Sequence, residues 1–108
     1  MKVYCFGDIT CSGEVENVDV EFDINLIEQA YTLKDDDDYE AINDFFDQFG
    51  FDDRTGYGID LIISDISKGE LAKKLKEGFW VMGDEELFGI GLTKKDAQVQ
   101  YGIGKVQG

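Results

Sequence analysis

The chain has 108 residues, of which 24 are acidic and 10 are basic, and it contains neither histidine nor proline. Hydrophobic residues make up 43% of it, which is enough for a core, so we expect one folded domain over residues 1–108 and not a disordered acidic chain. The lack of histidine removes the commonest general base and the commonest metal ligand. So acidic a surface repels phosphate, which argues against direct binding to nucleic acid or to an anionic membrane.

The N-terminal residues indicate a cytoplasmic protein. Asp8 and the polar residues after it interrupt any apolar segment of the kind found in a secretory signal peptide. The longest apolar runs elsewhere are too short to cross a bilayer. Cys5 and Cys11 would lie about 20 Å apart on one extended strand, so we do not expect a disulfide between them.

The negative charge is concentrated in the first half of the chain. Residues 1–54 contain sixteen acidic and three basic residues, a net charge of −13. Residues 55–108 contain eight acidic residues and seven lysines, a net charge of −1. Solubility alone does not require this asymmetry, whereas a field of one sign on part of a domain steers basic partners toward it.

Two strands are predicted at the N-terminus. Residues 2–10 alternate, with Val3, Cys5 and Ile9 on one face. The sequence VDVEFDI, residues 18–24, alternates strictly and predicts a half-buried strand. Its solvent face carries three carboxylates about 6.8 Å apart, which we call the acid row: Asp19, Glu21 and Asp23.

Two helices are predicted next, and the second is strongly acidic. Residues 25–34 suggest a short helix with Asn25 as its N-cap. The pair Asp37 and Glu40 forms a capping box, and aromatic residues at spacings of three and four then predict a helix over residues 38–49. A calcium loop does not fit this segment, because Ala41 stands where the loop needs glycine. The acidic residues at the ends and on the outer face of this helix are Asp35, Asp36, Asp37, Asp38, Glu40, Asp44, Asp47, Asp52 and Asp53.

The second half of the chain predicts more strands than helices. Residues 57–67 are nearly continuous in apolar residues and suggest a central strand. Ser67 and Glu70 begin a short helix, residues 79–92 suggest a hairpin, and residues 97–107 alternate as a last strand. The expected fold class is α+β, with a mostly antiparallel sheet of five to six strands and two to three short helices packed on one face of it.

The sequence contains no recognisable catalytic, metal-binding or cofactor-binding constellation. Neither cysteine belongs to a C-x-x-C pair, and the G-x-G patterns at residues 89–91 and 102–104 lack the third glycine of a dinucleotide-binding loop. We interpret these glycines as strand glycines that allow bending of the sheet or close approach of the backbone, and one flat face shared by Gly89, Gly91, Gly102 and Gly104 is the alternative. Asp60 and Asp65, on the predicted central strand, are the candidates for an enzyme that uses carboxylates alone.

The acid row and the acidic residues around the predicted helix 38–49 are therefore the candidate partner-binding residues, and no catalytic or metal-binding residue is assigned. In charge and size the chain resembles the acidic nucleic-acid mimics that phages and mobile elements use against restriction enzymes, CRISPR nucleases and DNA-repair enzymes. The resemblance is one of composition and carries over no family residues. It implies an inhibitor that occupies the basic, nucleic-acid-binding surface of a partner enzyme. An immunity protein or antitoxin, a carboxylate-only enzyme, and a charge that serves solubility alone remain alternatives.

Overall fold

A computed structural model of the chain describes residues 1–35, 40–41, 44–45 and 53–107, and for Cys11 and residues 53–58 it describes the backbone alone. Within these residues, four strands form one antiparallel sheet in the order β2-β1-β4-β3, namely β1 (Lys2–Cys11), β2 (Glu14–Asp23), β3 (Phe79–Met82) and β4 (Glu86–Gly91). The helices whose two ends are described are α1 (Ile24–Asp35), α2 (Asp53–Asp65), α3 (Leu71–Glu77), which follows a 3₁₀ turn at Lys68–Glu70, and α4 (Lys94–Gln107).

A tight hairpin sets the register of the two acidic strands. Ser12 and Gly13, the two residues of the turn, have φ values of 53° and 82°. Positive φ at both central residues is the requirement of a type I′ turn, whose twist matches that of the strands it joins. The register that follows places Phe22 opposite Val3 and Val20 opposite Cys5, so the apolar faces of β1 and β2 coincide.

The sheet is covered by helices on both faces. Its inner face packs against α1, α2 and α3, and the two layers share one core, which includes Val3, Cys5, Val18, Phe22, Ile27, Ala30, Tyr31, Ile59, Ile62, Ile63, Leu71, Leu75, Val81, Phe88 and Ile90. Its outer face is covered by α4 over β4, β3 and part of β1. The α+β class and the antiparallel sheet are confirmed. The expectations of five to six strands and of two to three helices on one face are wrong, because two segments predicted as strands are helices and one of these, α4, covers the outer face.

The first of these segments is the isoleucine-rich stretch at residues 57–67, which lies largely in α2. Ile59, Ile62, Ile63 and Ile66 are buried, a spacing of three, four and seven residues that fits one face of a helix. Asp60 and Asp65 are exposed on this helix and not held in a central strand. The β-branched composition suggested a strand, but the period of burial is helical because only one side of the segment meets the core.

The second segment is the C-terminal one, predicted as a strand at residues 97–107 and found in α4. Its start carries a cap that the sequence analysis missed: the Asp96 N–H donates to the Thr93 hydroxyl oxygen at 3.1 Å, and the Ala97 N–H donates to the Thr93 carbonyl at 3.1 Å. The pattern T-x-x-D is the available signal. Ala97 faces the sheet, whereas Val99 and Ile103, predicted to share a strand face with it, are exposed.

Glycines let α4 approach the sheet closely. A Cβ atom at Gly89 would lie 2.0 Å from the Ala97 carbonyl oxygen and 2.2 Å from the Tyr101 backbone nitrogen, so only glycine fits there. A Cβ atom at Gly104 would lie 2.9 Å from the Trp80 ring and 3.0 Å from a Leu87 methyl. These glycines therefore belong to a helix-on-strand contact and not to a flat sheet face.

The remaining predicted elements agree with the structure where it describes them. Glu40, Ala41, Asp44 and Phe45, inside the predicted helix 38–49, are helical, and Phe45 is buried. The other residues of that prediction lie outside the described ones. The short helix after Ser67 and the hairpin of β3 and β4 are confirmed. Among the described helices, none has the length and hydrophobicity needed to cross a membrane.

Candidate protein-binding surface

The acid row lies on the outer face of β2, at an edge of the sheet. The side chains of Asp19, Glu21 and Asp23 are 42%, 51% and 48% exposed. Their neighbours on β1 are, in register, Phe6, Tyr4 and Lys2. The row is therefore one side of a strip of outer sheet surface, and two half-buried aromatic rings form the other side.

Each carboxylate of the row has a cation from this same chain beside it. The Lys94 ammonium lies 2.8 Å from Asp19, the Lys2 ammonium lies 3.6 Å from Glu21, and the N-terminal amine lies 3.8 Å from Asp23. The hydrogen bond to Asp19, followed by its negative charge, raises the pKa of Lys94. All three pairs are exposed, and such pairs contribute little to stability because water screens them. They do offset the mutual repulsion of three like charges in a row.

Asp23 also has a local structural role. Its Oδ1 accepts the backbone N–H of Asn25 at 2.9 Å, which makes Asp23 the N-cap of α1. Asn25, expected to be the cap, is itself helical. One member of the acid row is thus explained in part by helix capping, without any partner.

A polar and aromatic cluster fixes α4 next to this strip. The Tyr101 hydroxyl donates to Asp8, and Asn17 Nδ2 donates to the other oxygen of the Asp8 carboxylate at 3.3 Å. The Tyr101 and Phe6 rings meet edge to face, with centroids 5.3 Å apart. The hydrogen bond to Asp8, then burial and the carboxylate charge, raise the pKa of Tyr101 to about 12. Asp8 is not among the partner-binding residues predicted from the sequence, although it lies on the outer face of β1 together with Tyr4 and Phe6.

Asp35, Glu40 and Asp44, predicted with the acid row, do not join it. Asp35 is the exposed last residue of α1, which packs on the inner face of the sheet. Glu40 and Asp44 are exposed, and Asp44 lines a depression of about 440 Å³ together with residues of α1. Asp53 is the first residue of α2. The remaining candidates lie outside the described residues: Asp36, Asp37, Asp38, Asp47 and Asp52.

The carboxylates predicted for an enzyme lie on the surface of α2, and the thiol of Cys5 lies in the core. Asp60 and Asp65, the enzyme candidates, are both exposed on α2. Within the ranges that the structure describes, no three histidine, cysteine or acidic side chains are grouped so as to hold a metal ion. Cys5 is a free, buried thiol, and burial raises its pKa to about 12, which makes it a poor nucleophile.

The charge asymmetry of the sequence becomes a spatial asymmetry in the fold. Residues 1–35 carry eight acidic residues and two lysines, and their two strands lie side by side at one edge of the sheet. Residues 79–107 carry four acidic residues and three lysines, and they form the other half of the sheet and its outer helix. Between these two described parts of the chain, the negative charge is therefore greater on the side of the sheet that bears β2.

Comparison of the chain with models of known protein families, with curated proteins and with solved structures gives no significant match. The surface is accordingly interpreted from its own charge and geometry.

Proposed function

We propose that this protein is an inhibitor that binds a basic, nucleic-acid-binding protein through the outer face of β1 and β2 and so excludes nucleic acid from it. The observation that supports this function best is the segregation of charge, with six acidic residues and one lysine in residues 1–23, which contain the two strands at that edge of the sheet. A concentrated negative field accelerates the approach of a basic partner and suits a groove built for a polyanion.

The spacing of the acid row is compatible with this role. Successive carboxylates on one face of an antiparallel strand advance by about 6.8 Å. Phosphates of one DNA strand rise by about 3.4 Å each along the helix axis and also wind around it, so that neighbouring phosphates lie roughly 7 Å apart. Lysine and arginine side chains placed to meet a phosphate backbone therefore find carboxylates at matching intervals on β2.

The aromatic residues beside the row supply the apolar part of the contact. Tyr4 and Phe6 are half-buried on β1, opposite Glu21 and Asp19. Hydrogen-bonded charges at the rim of an interface mainly set the association rate, whereas partly buried aromatic rings supply most of the affinity. A partner that covers both strands gains both contributions.

The function is tested first by identifying a partner. The purified protein is immobilised and exposed to a bacterial lysate, bound proteins are eluted with a salt gradient, and the eluate is analysed by mass spectrometry. We expect a nucleic-acid-binding enzyme that elutes at raised salt and that added DNA displaces. A toxin that DNA does not displace would identify an immunity protein instead, and a diffuse set of basic proteins would indicate a charge that serves solubility alone.

The surface is then tested by neutralisation of the acid row. The triple variant Asp19→Asn, Glu21→Gln, Asp23→Asn should weaken binding of the isolated partner by at least about tenfold, measured by titration calorimetry. Because each carboxylate has a cation beside it, removing the three charges should cause a slight loss of stability and not a gain from relieved repulsion.

A matched control separates the surface from the overall charge. The variant Asp65→Asn, Glu77→Gln, Asp84→Asn removes three exposed charges from the second half of the chain. Its net charge equals that of the acid-row variant, but its β2 surface is intact. Equal loss of affinity in the two variants would mean that net charge, and not the outer face of β1 and β2, determines binding.

A further inference from the structure

In the part of the chain that the structure describes, the sheet ends at β2, and this edge lacks the usual protection against other strands. β2 pairs with β1 over ten consecutive residue pairs without a bulge, and its sequence contains neither proline nor lysine. Proteins protect sheet edges with bulges, proline, lysine or short strands. The strand at the opposite edge, β3, is short, with four residues. β2 is long and regular, and acidic side chains are its main protection.

Two backbone hydrogen bonds show which residues of β2 face the free edge. The Thr10 N–H donates to the Glu85 carbonyl at 2.8 Å, so the even-numbered residues of β1 turn toward β4 and the odd-numbered ones toward β2. Odd-numbered residues of β1 lie opposite even-numbered residues of β2, which therefore bond to β1. The Ile24 N–H, which donates to the Met1 carbonyl at 2.9 Å, continues this pattern.

The odd-numbered residues of β2 consequently direct their backbone N–H and C=O groups away from the sheet. Over the length of the strand these are Val15, Asn17, Asp19 and Glu21. Within the described residues, no backbone hydrogen bond reaches them from that side. They span about 20 Å, which is the length of an ordinary strand. The edge therefore offers a row of donors and acceptors to another strand.

Charge decides what kind of strand fits this edge. β2 has five acidic residues and no basic one, and residues 1–23 carry a net charge of −5 from six acidic residues and one lysine. A second copy of β2 would place carboxylates opposite carboxylates, which destabilises a strand pair. A strand with lysine or arginine at alternate positions would instead place cations directly opposite Asp19 and Glu21, with Cβ atoms about 4.5–5.5 Å apart.

We propose that the free edge of β2 binds a basic, extended segment of a partner protein as an added antiparallel strand. The inference rests on the proposed function for the basic character of the partner, and it adds the way in which that partner is held. Backbone hydrogen bonds at the four outward-facing residues fix the register, and cross-strand ion pairs at Asp19 and Glu21 select the charge. Val15, which is 65% exposed, supplies an apolar contact near the hairpin turn.

A synthetic peptide of about ten residues, in which lysine and valine alternate, tests the edge directly. Hydrogen exchange of the protein's amides is followed by NMR with and without saturating peptide. Exchange at Val15, Asn17, Asp19 and Glu21 should slow at least about tenfold, because their N–H groups become bonded. Exchange at Val18 and Val20, which already bond to β1, should change little. No slowing at the four outward-facing amides would overturn the inference.

Two N-methylated peptides separate strand addition from attraction between charges. In an antiparallel pair, the lysines opposite Asp19 and Glu21 direct their own N–H groups toward β2, whereas the valines direct theirs away. N-methylation of every lysine backbone nitrogen should therefore raise the dissociation constant at least about tenfold relative to N-methylation of every valine nitrogen. The two peptides have the same charge and the same number of methyl groups. Equal binding would mean that charge alone holds the peptide, and would overturn the inference.

A pair of protein variants tests the same edge from the other side. Asn17→Pro and Asn17→Ala both remove the side-chain hydrogen bond to Asp8, but only proline removes the N–H that faces the free edge. The ladder to β1 does not use this N–H, so both variants should fold, as circular dichroism will show. Asn17→Pro should bind the unmodified peptide at least about tenfold more weakly than Asn17→Ala. If proline prevents folding, the methylated peptides decide the question.

The outcomes for the edge and for the proposed function are distinguishable. Slowed amide exchange together with a preference for the valine-methylated peptide supports strand addition, even if the lysate yields no nucleic-acid-binding enzyme. A partner that DNA displaces, together with equal binding of the two methylated peptides, would support the inhibitor and overturn the added strand.

Discussion

The position of α4 on the sheet predicts opposite effects for two neighbouring glycine substitutions. Gly102→Ala adds a methyl group that meets no atom within 4 Å, in the middle of a helix. The gain in helix propensity is roughly 0.5–1 kcal/mol, chiefly because alanine restricts the unfolded chain. For a domain of this size that corresponds to a rise in melting temperature of about 2–8 °C.

Gly104→Ala should bring the same gain in helix propensity, but overpacking of the new methyl group should cancel that gain in stability. The new Cβ lies 2.9 Å from the Trp80 ring and 3.0 Å from Leu87, and inserting a methyl group into a packed contact costs about 1–3 kcal/mol. The net change therefore ranges from no effect to a loss of about 2 kcal/mol. Gly89→Ala should cost more, because its Cβ meets backbone atoms of α4, which cannot rotate away.

Urea unfolding at low protein concentration measures the free energy of unfolding of each of these glycine variants. Circular dichroism reports the whole fold, and fluorescence of Trp80, the single tryptophan, reports the contact with Gly104. Equal stabilisation by the two alanines would refute the packing of α4 on Trp80. No gain from Gly102→Ala would refute the placement of Gly102 at an open position in the interior of α4, where an added methyl group meets no atom.

Two further predictions concern a helix cap and alkaline pH. Asp23→Ala should lower the free energy of unfolding, measured by urea denaturation, by about 1 kcal/mol because it removes the oxygen that caps α1. Asp23→Asn keeps a capping oxygen and should leave the free energy of unfolding nearly unchanged. Equal losses in the two variants would contradict the cap. Burial raises the pKa of Cys5 in the folded protein from 9.0 to about 12, and that of Tyr31 from 10.0 to about 12. The pKa of Tyr101 also rises from 10.0 to about 12, chiefly because its hydroxyl is hydrogen-bonded to Asp8. Each group ionises more readily in the unfolded chain, so stability is fully present below about pH 9 and falls as the pH rises toward 12. Denaturation at stepped pH checks this, and Tyr101→Phe, by removing one of the three groups, should make the fall less steep.

The sequence predicts well the elements that have one polar and one apolar face. β2 is an example, because strict alternation leaves one arrangement that buries Val18 and Phe22 and exposes the acid row. The helix at α3 is another, since Leu71 and Leu75 are the residues of its buried face. For such segments local pattern and tertiary packing demand the same structure.

The two wrong strand predictions have a common physical cause. In residues 59–66 the isoleucines satisfy a helical period, but their β-branched side chains and near-continuous hydrophobicity also suit a buried strand. In α4 the glycines favour neither structure locally, and the helix owes its place partly to the contacts that Tyr101 makes with Asp8 and Phe6, which lie at the other end of the chain. Long-range contacts of this kind are not visible in local pattern.

The candidate surface shows the same limit in its electrostatics. The sequence predicts the acid row correctly, but it does not reveal that Lys94, 71 residues beyond Asp23, folds back to pair with Asp19. The sequence also does not reveal that Asp35 and Asp44 lie in the helical layer on the inner face of the sheet, whereas the acid row lies on its outer face. One-dimensional charge counts therefore overestimate how many carboxylates act together.

The internal cations beside the acid row bear on selectivity under the proposed function. Lys2 and Lys94 belong to the same molecule as Glu21 and Asp19, so their effective concentration at these carboxylates is high. A single lysine on a passing protein competes poorly with such tethered cations. Several cations held at intervals of about 6.8 Å displace them together, because all the new contacts form in one association event. The pairing within the acid row then acts against isolated basic residues and favours a regular basic surface, such as a groove that binds a phosphate backbone.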